Sequence, residues 1–324
     1  MLMPALAIIA GFILLLWGAD RFVAGAAAAA RNLGISPLII GLTIVGFGTS
    51  APEILVSVMA SINGNTALAI GNAIGSNITN IALVLGATAL VTPLAVRSEI
   101  LRREFPILLA VMLVALMMIS DGELGRTDGI VLLTGLGLML YWVVNLGLRD
   151  RRTDALGTEF DAEIPTDMSN LMAAVWFTLG LLLLLGGSRM LVWGAVEVAT
   201  HFGVSELVIG LTIVAIGTSL PELAASIVSA LRKEHDIAIG NVIGSNMFNL
   251  LAVMGLPGVI HPGPVPDQVL SRDYPVMLVL TLVLFAVAYG FRGPGKITRA
   301  EGGLLLLAFF AYQGVLFMSE SPGS

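Results

Sequence analysis

The sequence predicts an all-α integral membrane protein with ten transmembrane helices, arranged as two inverted five-helix repeats with discontinuous helices 2, 3, 7 and 8. Three observations predict this fold class: an apolar composition, ten segments long enough to span a bilayer, and an internal repeat. Of the 324 residues, 57 % are hydrophobic and 12 % are charged, whereas soluble proteins carry about 25 % charged residues. This composition excludes a soluble single-domain enzyme, because it cannot supply a water-facing surface.

The charge and the cysteine content exclude further classes of protein. The formal net charge is −6, and no basic run is longer than two residues, which argues against a nucleic-acid partner. The chain contains no cysteine, so it forms no disulfide, thiolate metal site or cysteine nucleophile.

Ten apolar segments approach or exceed the roughly 20 residues that a helix needs to cross the hydrocarbon core. These segments are 4–30, 37–61, 67–91, 103–119, 128–148, 171–199, 206–230, 237–260, 274–291 and 301–318. With the N-terminus placed outside, the inner loops hold 12 of the 16 Lys and Arg residues, and the outer side holds only Arg126 and Arg272. This positive-inside bias predicts a multi-pass protein of the plasma (inner) membrane with both termini outside.

The two halves of the chain match without a gap at an offset of 169 residues. Residues 41–86 align with 210–255, with 22 identities in 46 positions. Since the matched positions include Pro, Glu, Asn and Ser, shared apolar composition does not explain them. Each copy holds five segments, and an odd number places the second copy in the membrane upside down. Inverted repeats of this kind are typical of secondary transporters.

The repeat divides the chain into two domains and a linker. The first five-helix repeat is predicted over 1–148 and the second, inverted repeat over 170–324. Residues 149–169 between them are rich in Arg, Asp and Glu, which predicts a solvated cytoplasmic linker.

Two glutamates lie in the middle of predicted spans, in the motifs GTSAPE (48–53) and GTSLPE (217–222). Ionisable groups at this depth are costly and usually functional. Gly and Pro in each motif interrupt the helix and free backbone carbonyls. The candidate ligands are Thr49, Ser50, Glu53, Thr218, Ser219 and Glu222. The alternative is a Pro kink with a glutamate held by neighbouring hydroxyls.

Spans 3 and 8 carry a second matched motif, GNAIGSNITN (71–80) and GNVIGSNMFN (240–249). Asn and Ser recur at every fourth position and form a polar stripe on each helix. The predicted cation ligands are Ser76, Asn80, Ser245 and Asn249. The remaining asparagines are predicted to pack helices together. These are Asn72, Asn77, Asn241 and Asn246.

The predicted ligand set contains carboxylate, amide, hydroxyl and carbonyl oxygens. All three histidines lie at the ends of spans. Hard oxygen ligands suit calcium or sodium, rather than zinc or copper. Two opposed carboxylates cannot both stay charged in an empty, dehydrated site. The site therefore favours being occupied whenever it is closed, which is the physical basis of exchange rather than leak.

At these residues the chain resembles the cation/calcium antiporter superfamily, and within it the bacterial calcium/sodium antiporters. The resemblance implies that the two glutamates bind calcium together with the backbone oxygens of Thr49 and Thr218. It implies that sodium binds the four motif serines and the carbonyls of Gly46 and Ala215. It also implies that segments 1 and 6 slide across the rest of the protein during transport. Asn80 and Asn249 are both neutral here, whereas some relatives carry an aspartate at one of these positions.

The predicted function is therefore exchange of cytoplasmic Ca²⁺ for external Na⁺, with both ions transported and no permanently bound cofactor. No nucleic acid and no obligate protein partner is expected. The nearest alternative is a Ca²⁺/H⁺ antiporter of the same architecture, since two glutamates can release calcium by taking up protons. An intramembrane hydrolase is disfavoured because the motifs G-x-S-x-G and H-E-x-x-H are absent. A passive channel does not need broken helices duplicated about a midplane site.

Charged residues within segments 1 and 6 raise a separate hypothesis. Asp20 and Arg189 occupy equivalent positions in the two copies. Since buried charges in a bilayer are usually paired, the pseudo-two-fold could bring them together. The alternative is that each reaches an interface or pairs elsewhere, with Arg21 as a competitor for Asp20.

Overall fold

A computed structural model describes residues 2–96, 98–150, 168–202, 215–289 and 295–320 of the chain. Within these residues the chain forms twelve helices, counting π-helical turns as part of the helix in which they lie. The helices are α1 (Leu2–Leu33), α2 (Leu38–Thr49), α3 (Ala51–Ile62), α4 (Thr66–Val91), α5 (Ser98–Ile119), α6 (Arg126–Asp150), α7 (Asn170–His201), α8 (Ala215–Thr218), α9 (Leu220–Leu231), α10 (His235–Ile260), α11 (Val269–Ala288) and α12 (Arg299–Glu320).

The helices are those of a membrane protein. In the part of the chain that the structure describes, six of them are long and apolar enough to cross a bilayer: α1, α4, α7, α10, α11 and α12. The pair α2–α3 is bent by 45° and makes a seventh if it is one span. Part of the predicted span 206–230 and most of the predicted linker lie outside the described residues.

The first and last residues of the helices recur at the same offset as the sequence repeat. Helix α4 spans 66–91 and α10 spans 235–260, so both ends of these helices are 169 residues apart. Helices α3 and α9, at 51–62 and 220–231, correspond in the same way. The internal repeat is therefore also a repeat of helices, without insertions in these parts.

Two short antiparallel strand pairs depart from the predicted all-α fold. Strand β1 (Leu94–Val96) pairs with β4 (Gly295–Ile297), and β2 (Glu123–Leu124) pairs with β3 (Gly263–Pro264). A proline after each of α4 and α10 favours this extended backbone, since the residue before a proline avoids the helical region. The strands that follow α4 and α10 each pair with the other copy and link the two halves.

The protein interior consists of two apolar clusters. The larger one surrounds α4 and α10, and every residue in the membrane-spanning window of α10 is buried. The smaller one joins α1 to α7 and α9 through residues that include Phe22, Leu184 and Ala225. Helices α1 and α7 lie at the periphery, because less than a third of the spanning window of each is buried.

Helices α1 and α7 run antiparallel and pack closely through glycines. A Cβ atom at Gly11 would lie 2.7 Å from the backbone N of Leu191, and one at Gly187 would lie 2.6 Å from that of Leu15. The contacts continue at Gly18, Gly25, Gly180 and Gly194. Only glycine allows the two backbones to approach so closely. Helices α1 and α7 occupy equivalent positions in the two copies, for which an inverted repeat predicts opposite directions.

Asp20 pairs with Arg232 rather than with Arg189, so the hypothesis of an Asp20–Arg189 pair is wrong. The Arg232 Nε atom donates to the Asp20 carboxylate at 3.0 Å, and a second guanidinium nitrogen forms an ion pair with it. Asp20 faces the end of α9, along which α1 packs, whereas Arg189 is exposed on α7. Arg21 does not compete for Asp20: its guanidinium lies 4.6 Å from the ring centre of Trp176.

Candidate ion-binding site

Two helix breaks form the centre of the site. The backbone turns at Ser50 (φ −78°, ψ 4°) between α2 and α3, and at Ser219 (φ −89°, ψ 5°) between α8 and α9. Pro52 and Pro221 follow each break in the first turn of the next helix. Because proline has no N–H, neither can continue the helical hydrogen-bond pattern across the break.

The two predicted glutamates lie directly after these breaks and come together in the protein interior. Glu53 and Glu222 are in the first turns of α3 and α9, and each is 1 % exposed. The Ser50 hydroxyl donates to the Glu222 carboxylate at 3.4 Å, which connects the two breaks across 172 residues of sequence. The N-termini of two short helices therefore meet at a pair of buried carboxylates, where the helix dipoles favour negative charge.

Thr49 and Ser245 extend the site onto α10. The Thr49 hydroxyl donates to the amide oxygen of Asn241 at 3.0 Å and lies 3.4 Å from the Ser245 hydroxyl. The Ser245 hydroxyl donates to the backbone oxygen of Gly46 at 3.3 Å. The structure thus brings Gly46, Thr49 and Ser245, which belong to both copies of the repeat, into one hydrogen-bonded group.

Asn72 and Asn241 hold the backbone on which the glutamates are placed. The Asn72 amide donates to the backbone oxygen of Glu53 at 3.0 Å, and Asn241 donates to that of Glu222 at 3.3 Å. The sequence predicted only a packing role for both residues. The structure adds that they satisfy the carbonyls of the two glutamates.

Asn80 and Asn249 lie at equivalent places in a crossed pair of hydrogen bonds. The Asn80 amide donates to the side-chain oxygen of Asn246 at 3.2 Å, and the Asn249 amide donates to that of Asn77 at 3.0 Å. A π-helical turn begins at Asn80 and another begins at Asn249. Such turns are frequent at functional sites, and the sequence pattern did not predict them.

Several buried oxygens of the site have no hydrogen-bond partner. In the described part of the chain these are Glu53 Oε2, Asn80 Oδ1, Ser219 Oγ, Glu222 Oε2 and Asn249 Oδ1. A buried oxygen without a donor is unfavourable, and two buried carboxylates repel each other. No group of three or more His, Cys, Asp or Glu that could hold a metal occurs among the described residues. The arrangement suits a hard cation held by two carboxylates and neutral oxygens.

The remaining predicted ligands are Ser76, Thr218 and Ala215. Ser76 is buried on α4, and among the described residues no side-chain hydrogen bond joins it to this group. Thr218 is half-buried at the end of α8. Ala215 begins α8, directly after residues 203–214, which lie outside the described parts.

Ser188 is a site neighbour that the sequence analysis missed. Its hydroxyl donates to the backbone oxygen of Gly217 at 2.9 Å. Gly217 lies four residues before Pro221, so its carbonyl lacks the usual helical donor. The position of the proline could have predicted a carbonyl in need of a donor, but not that α7 supplies it.

Buried carboxylates on broken membrane helices are typical of proteins that move ions across the bilayer. The family model described as "Sodium/calcium exchanger protein" matches residues 3–145 and 172–318. The chain therefore belongs to the sodium/calcium exchanger family, which is a family of transporters.

Similar proteins agree with this assignment over nearly the whole chain. CaxA of Alkalimonas amylolytica, a candidate antiporter by its name, is 50 % identical over 98 % of this chain and 100 % of its own length. Inner membrane protein YrbG of Escherichia coli is 44 % identical, covering 98 % of both chains. Solved structures of the sodium-calcium exchanger NCX_Mj include one with a TM-score of 0.81 and 32 % identity, covering 99 % of both chains.

Proposed function

We propose that the protein is a secondary active antiporter that exchanges cytoplasmic Ca²⁺ for external Na⁺ by alternating access at a site built on Glu53 and Glu222. The observation that carries this proposal is the meeting of two buried glutamates at two helix breaks, joined by the Ser50–Glu222 hydrogen bond. Calcium is held by both carboxylates and the backbone oxygens of Thr49 and Thr218.

Sodium uses other oxygens of the same site. These are the hydroxyls of Ser50, Ser76, Ser219 and Ser245, the carbonyls of Gly46 and Ala215, and the amide oxygens of Asn80 and Asn249. These oxygens surround the same two carboxylates, whose negative charge attracts both ions, so calcium and sodium compete for one site. Without a cation or protons the closed site would leave two like charges buried together, so the empty carrier does not readily change conformation, and exchange is favoured over leak.

The proposed architecture has ten transmembrane spans in two inverted repeats, over 1–148 and 170–324, with a cytoplasmic linker at 149–169. The antiparallel course of α1 and α7 supports the inversion, as do the helix bounds that recur at an offset of 169. The distribution of Lys and Arg supports both termini outside. The name of the YrbG relative supports an inner-membrane location.

Alternating access is proposed to occur by movement of α1 and α7 against the remaining helices. These two helices pack on each other through their glycines and belong to the smaller apolar cluster, which they share with residues of α2, α9 and α10. A peripheral pair can shift by changing the contacts of this smaller cluster while the larger one around α4 and α10 stays packed.

Calcium flux into proteoliposomes tests the proposal. The purified protein is reconstituted with sodium inside, and calcium uptake is measured with and without an outward sodium gradient. We expect uptake only with the gradient. The control is the doubly substituted Glu53→Gln/Glu222→Gln protein, reconstituted at the same density.

A Ca²⁺/H⁺ antiporter is the second candidate, because the same two carboxylates can release calcium by binding protons. A pH gradient, acid inside and without sodium, distinguishes it: uptake driven by protons alone would replace sodium by H⁺ as the coupling ion. Calcium movement that needs neither gradient would instead indicate a channel.

A further inference from the structure

Four asparagine side chains form one buried cluster between the two halves of the protein: Asn77, Asn80, Asn246 and Asn249. Each is 1 % exposed. A side-chain amide presents an acceptor oxygen on one side and an NH₂ donor on the other. The hydrogen bonds of the cluster therefore decide which of the two faces a cation.

The direction of one chain of hydrogen bonds is fixed by a backbone carbonyl. The backbone oxygen of Asn246 can only accept, and the Asn77 NH₂ donates to it at 3.3 Å. The Asn77 oxygen is therefore free to accept, and it does so from the NH₂ of Asn249 at 3.0 Å. The Asn249 oxygen must then point the other way, where it is buried without a hydrogen-bond partner.

A second chain ends in the same way in the other copy. The Asn80 NH₂ donates to the side-chain oxygen of Asn246 at 3.2 Å, and the Asn80 oxygen is buried without a partner. The turn that begins at Asn249 packs against α3, which carries Glu53, and the turn that begins at Asn80 packs against α9, which carries Glu222. Each oriented amide thus lies on an element that contacts a glutamate helix.

We propose that Asn77 and Asn246 are positioning residues that hold the amides of Asn249 and Asn80 with their oxygens toward the transported cation. This inference rests on the proposed function and assigns a role to two residues outside the ligand set. With the amide reversed, an NH₂ group would face the cation and repel it. The two positioning residues thereby let the neutral side chains of Asn80 and Asn249 serve as cation ligands.

The test replaces Asn77 by leucine, which has a similar size and forms no hydrogen bonds. Calcium-dependent thermal stabilisation of the purified protein and the KM for calcium uptake are both measured. We expect the calcium affinity to fall about 10- to 100-fold, as for the loss of other residues that orient a metal ligand, with a rise in KM larger than the fall in maximal rate. Asn77→Ser is the second variant, because its short side chain bonds to its own helix and cannot reach Asn249.

The same two Asn77 substitutions are also made in a protein that carries Asn249→Asp, which serves as the matched background. A carboxylate has an oxygen on both sides and needs no orientation. In that background Asn77→Leu and Asn77→Ser should each change the calcium affinity by less than about threefold, since no amide remains to be reversed. An equal loss in both backgrounds would mean that Asn77 only packs helices, and would overturn the inference.

The controls separate this inference from the proposed function. If the wild-type protein shows neither calcium-dependent stabilisation nor calcium flux, the proposed function fails. If the wild type responds to calcium and Asn77→Leu and Asn77→Ser leave its affinity unchanged, only the positioning role fails.

Discussion

Single residues at the helix breaks carry the charge of the proposed site. We expect Glu53→Gln and Glu222→Gln each to abolish calcium transport while the protein still folds. With calcium bound, the two carboxylates balance the charge of the ion, and removing one of them leaves a buried charge uncompensated. Such a loss costs about 3–5 kcal/mol in buried ion pairs, which corresponds to a loss of more than about 100-fold in calcium affinity. Sodium-driven uptake into proteoliposomes and calcium-dependent thermal stabilisation measure the effect.

The control for these variants is Asp267→Asn, which neutralises an exposed carboxylate away from both breaks. It should transport calcium like the wild type. Near-normal uptake by either glutamine variant would remove that glutamate from the site.

Glu234 gives the protein a pH-dependent stability outside its membrane spans. It lies between α9 and α10, and burial raises its pKa from the usual 4.5, with a further rise from Asp236 and an opposing attraction from Arg31 and Arg232. The folded state therefore binds this proton more tightly than the unfolded state, and stability falls as pH rises from about 4.5 through the raised pKa.

Glu234→Gln should remove that loss of stability. We expect the variant and the wild type to unfold at similar temperatures near pH 4, and the variant to be the more stable above the raised pKa. Thermal unfolding in detergent between pH 4 and 8 measures the difference, with exposed Glu123→Gln as the control. A difference in melting temperature that does not vary with pH would contradict the assignment.

The identities of the central residues could be predicted because both motifs occur twice. Glu53, Glu222, Asn80 and Asn249 are buried, as their repeated positions in apolar spans suggested. Their partners could not be predicted, since Ser50–Glu222 and Asn77–Asn249 each join residues 172 positions apart. Hydrogen bonds at such separations depend on how the two copies pack. The periodicity within one helix gives no information about that packing.

At the scale of elements, the sequence predicted the breaks in helices 2 and 7 but neither the π-helical turns nor the strands. The predicted discontinuity of helices 3 and 8 is wrong, because α4 and α10 are continuous helices that contain π-helical turns. Pro52 and Pro221 predict the breaks because proline removes a helical hydrogen bond, although Pro106 lies within α5 without ending it. The turns at Asn80 and Asn249 are continuous with the surrounding helix, so no break in the apolar pattern indicates them. The strand pairs depend on contacts between the copies.

The glycine contact between α1 and α7 can be tested with two neighbouring residues. A Cβ at Gly187 would lie 2.6 Å from a backbone nitrogen of α1, whereas Gly186 has no atom within 4 Å of its added Cβ. We expect Gly187→Ala to lower the melting temperature and transport rate, because the helices must separate. Gly186→Ala should be neutral or stabilise by up to about 1 kcal/mol, since alanine is the better helix former.

Thermal unfolding and calcium uptake of both alanine variants measure this difference. Equal behaviour of Gly186→Ala and Gly187→Ala would show that the close approach of α1 and α7 contributes neither to stability nor to transport.

For the molecule as a whole, the charge of the loaded site predicts how transport responds to voltage. Two ionised glutamates give the site a charge of −2, so calcium makes it neutral and three sodium ions would make it +1. Exchange for three sodium ions then moves one net charge per cycle, worth about 2.3 kcal/mol per 100 mV. We expect sodium-driven calcium uptake to change markedly between opposite potentials.

Liposomes clamped at opposite potentials with potassium and valinomycin provide the measurement. Electrogenic exchange would be contradicted if calcium uptake did not depend on the membrane potential and a pH gradient drove it equally well without sodium. That result would favour the proton-coupled alternative.

The ion pair between Asp20 and Arg232 connects the two parts proposed to move. We expect Asp20→Asn and Arg232→Gln to be coupled in a double-mutant cycle for transport rate, because each removes the same contact. Asp20→Asn and Arg189→Gln should be additive, since Asp20 bonds to Arg232. Additivity in the first cycle would show that the ion pair has no role in the transport cycle.

That ion pair also breaks the symmetry of the carrier. The residues equivalent to Asp20 and Arg232 are Arg189 and Asn63, which cannot form an ion pair at the opposite end. Two identical halves would give inward-facing and outward-facing states of equal energy. A contact at one end alone favours one of them, by up to about 1 kcal/mol for a partly exposed pair, or a population ratio of roughly five. Since apparent affinity scales with the population that can bind, the two sides of the membrane would experience different calcium affinities from one and the same set of ligands.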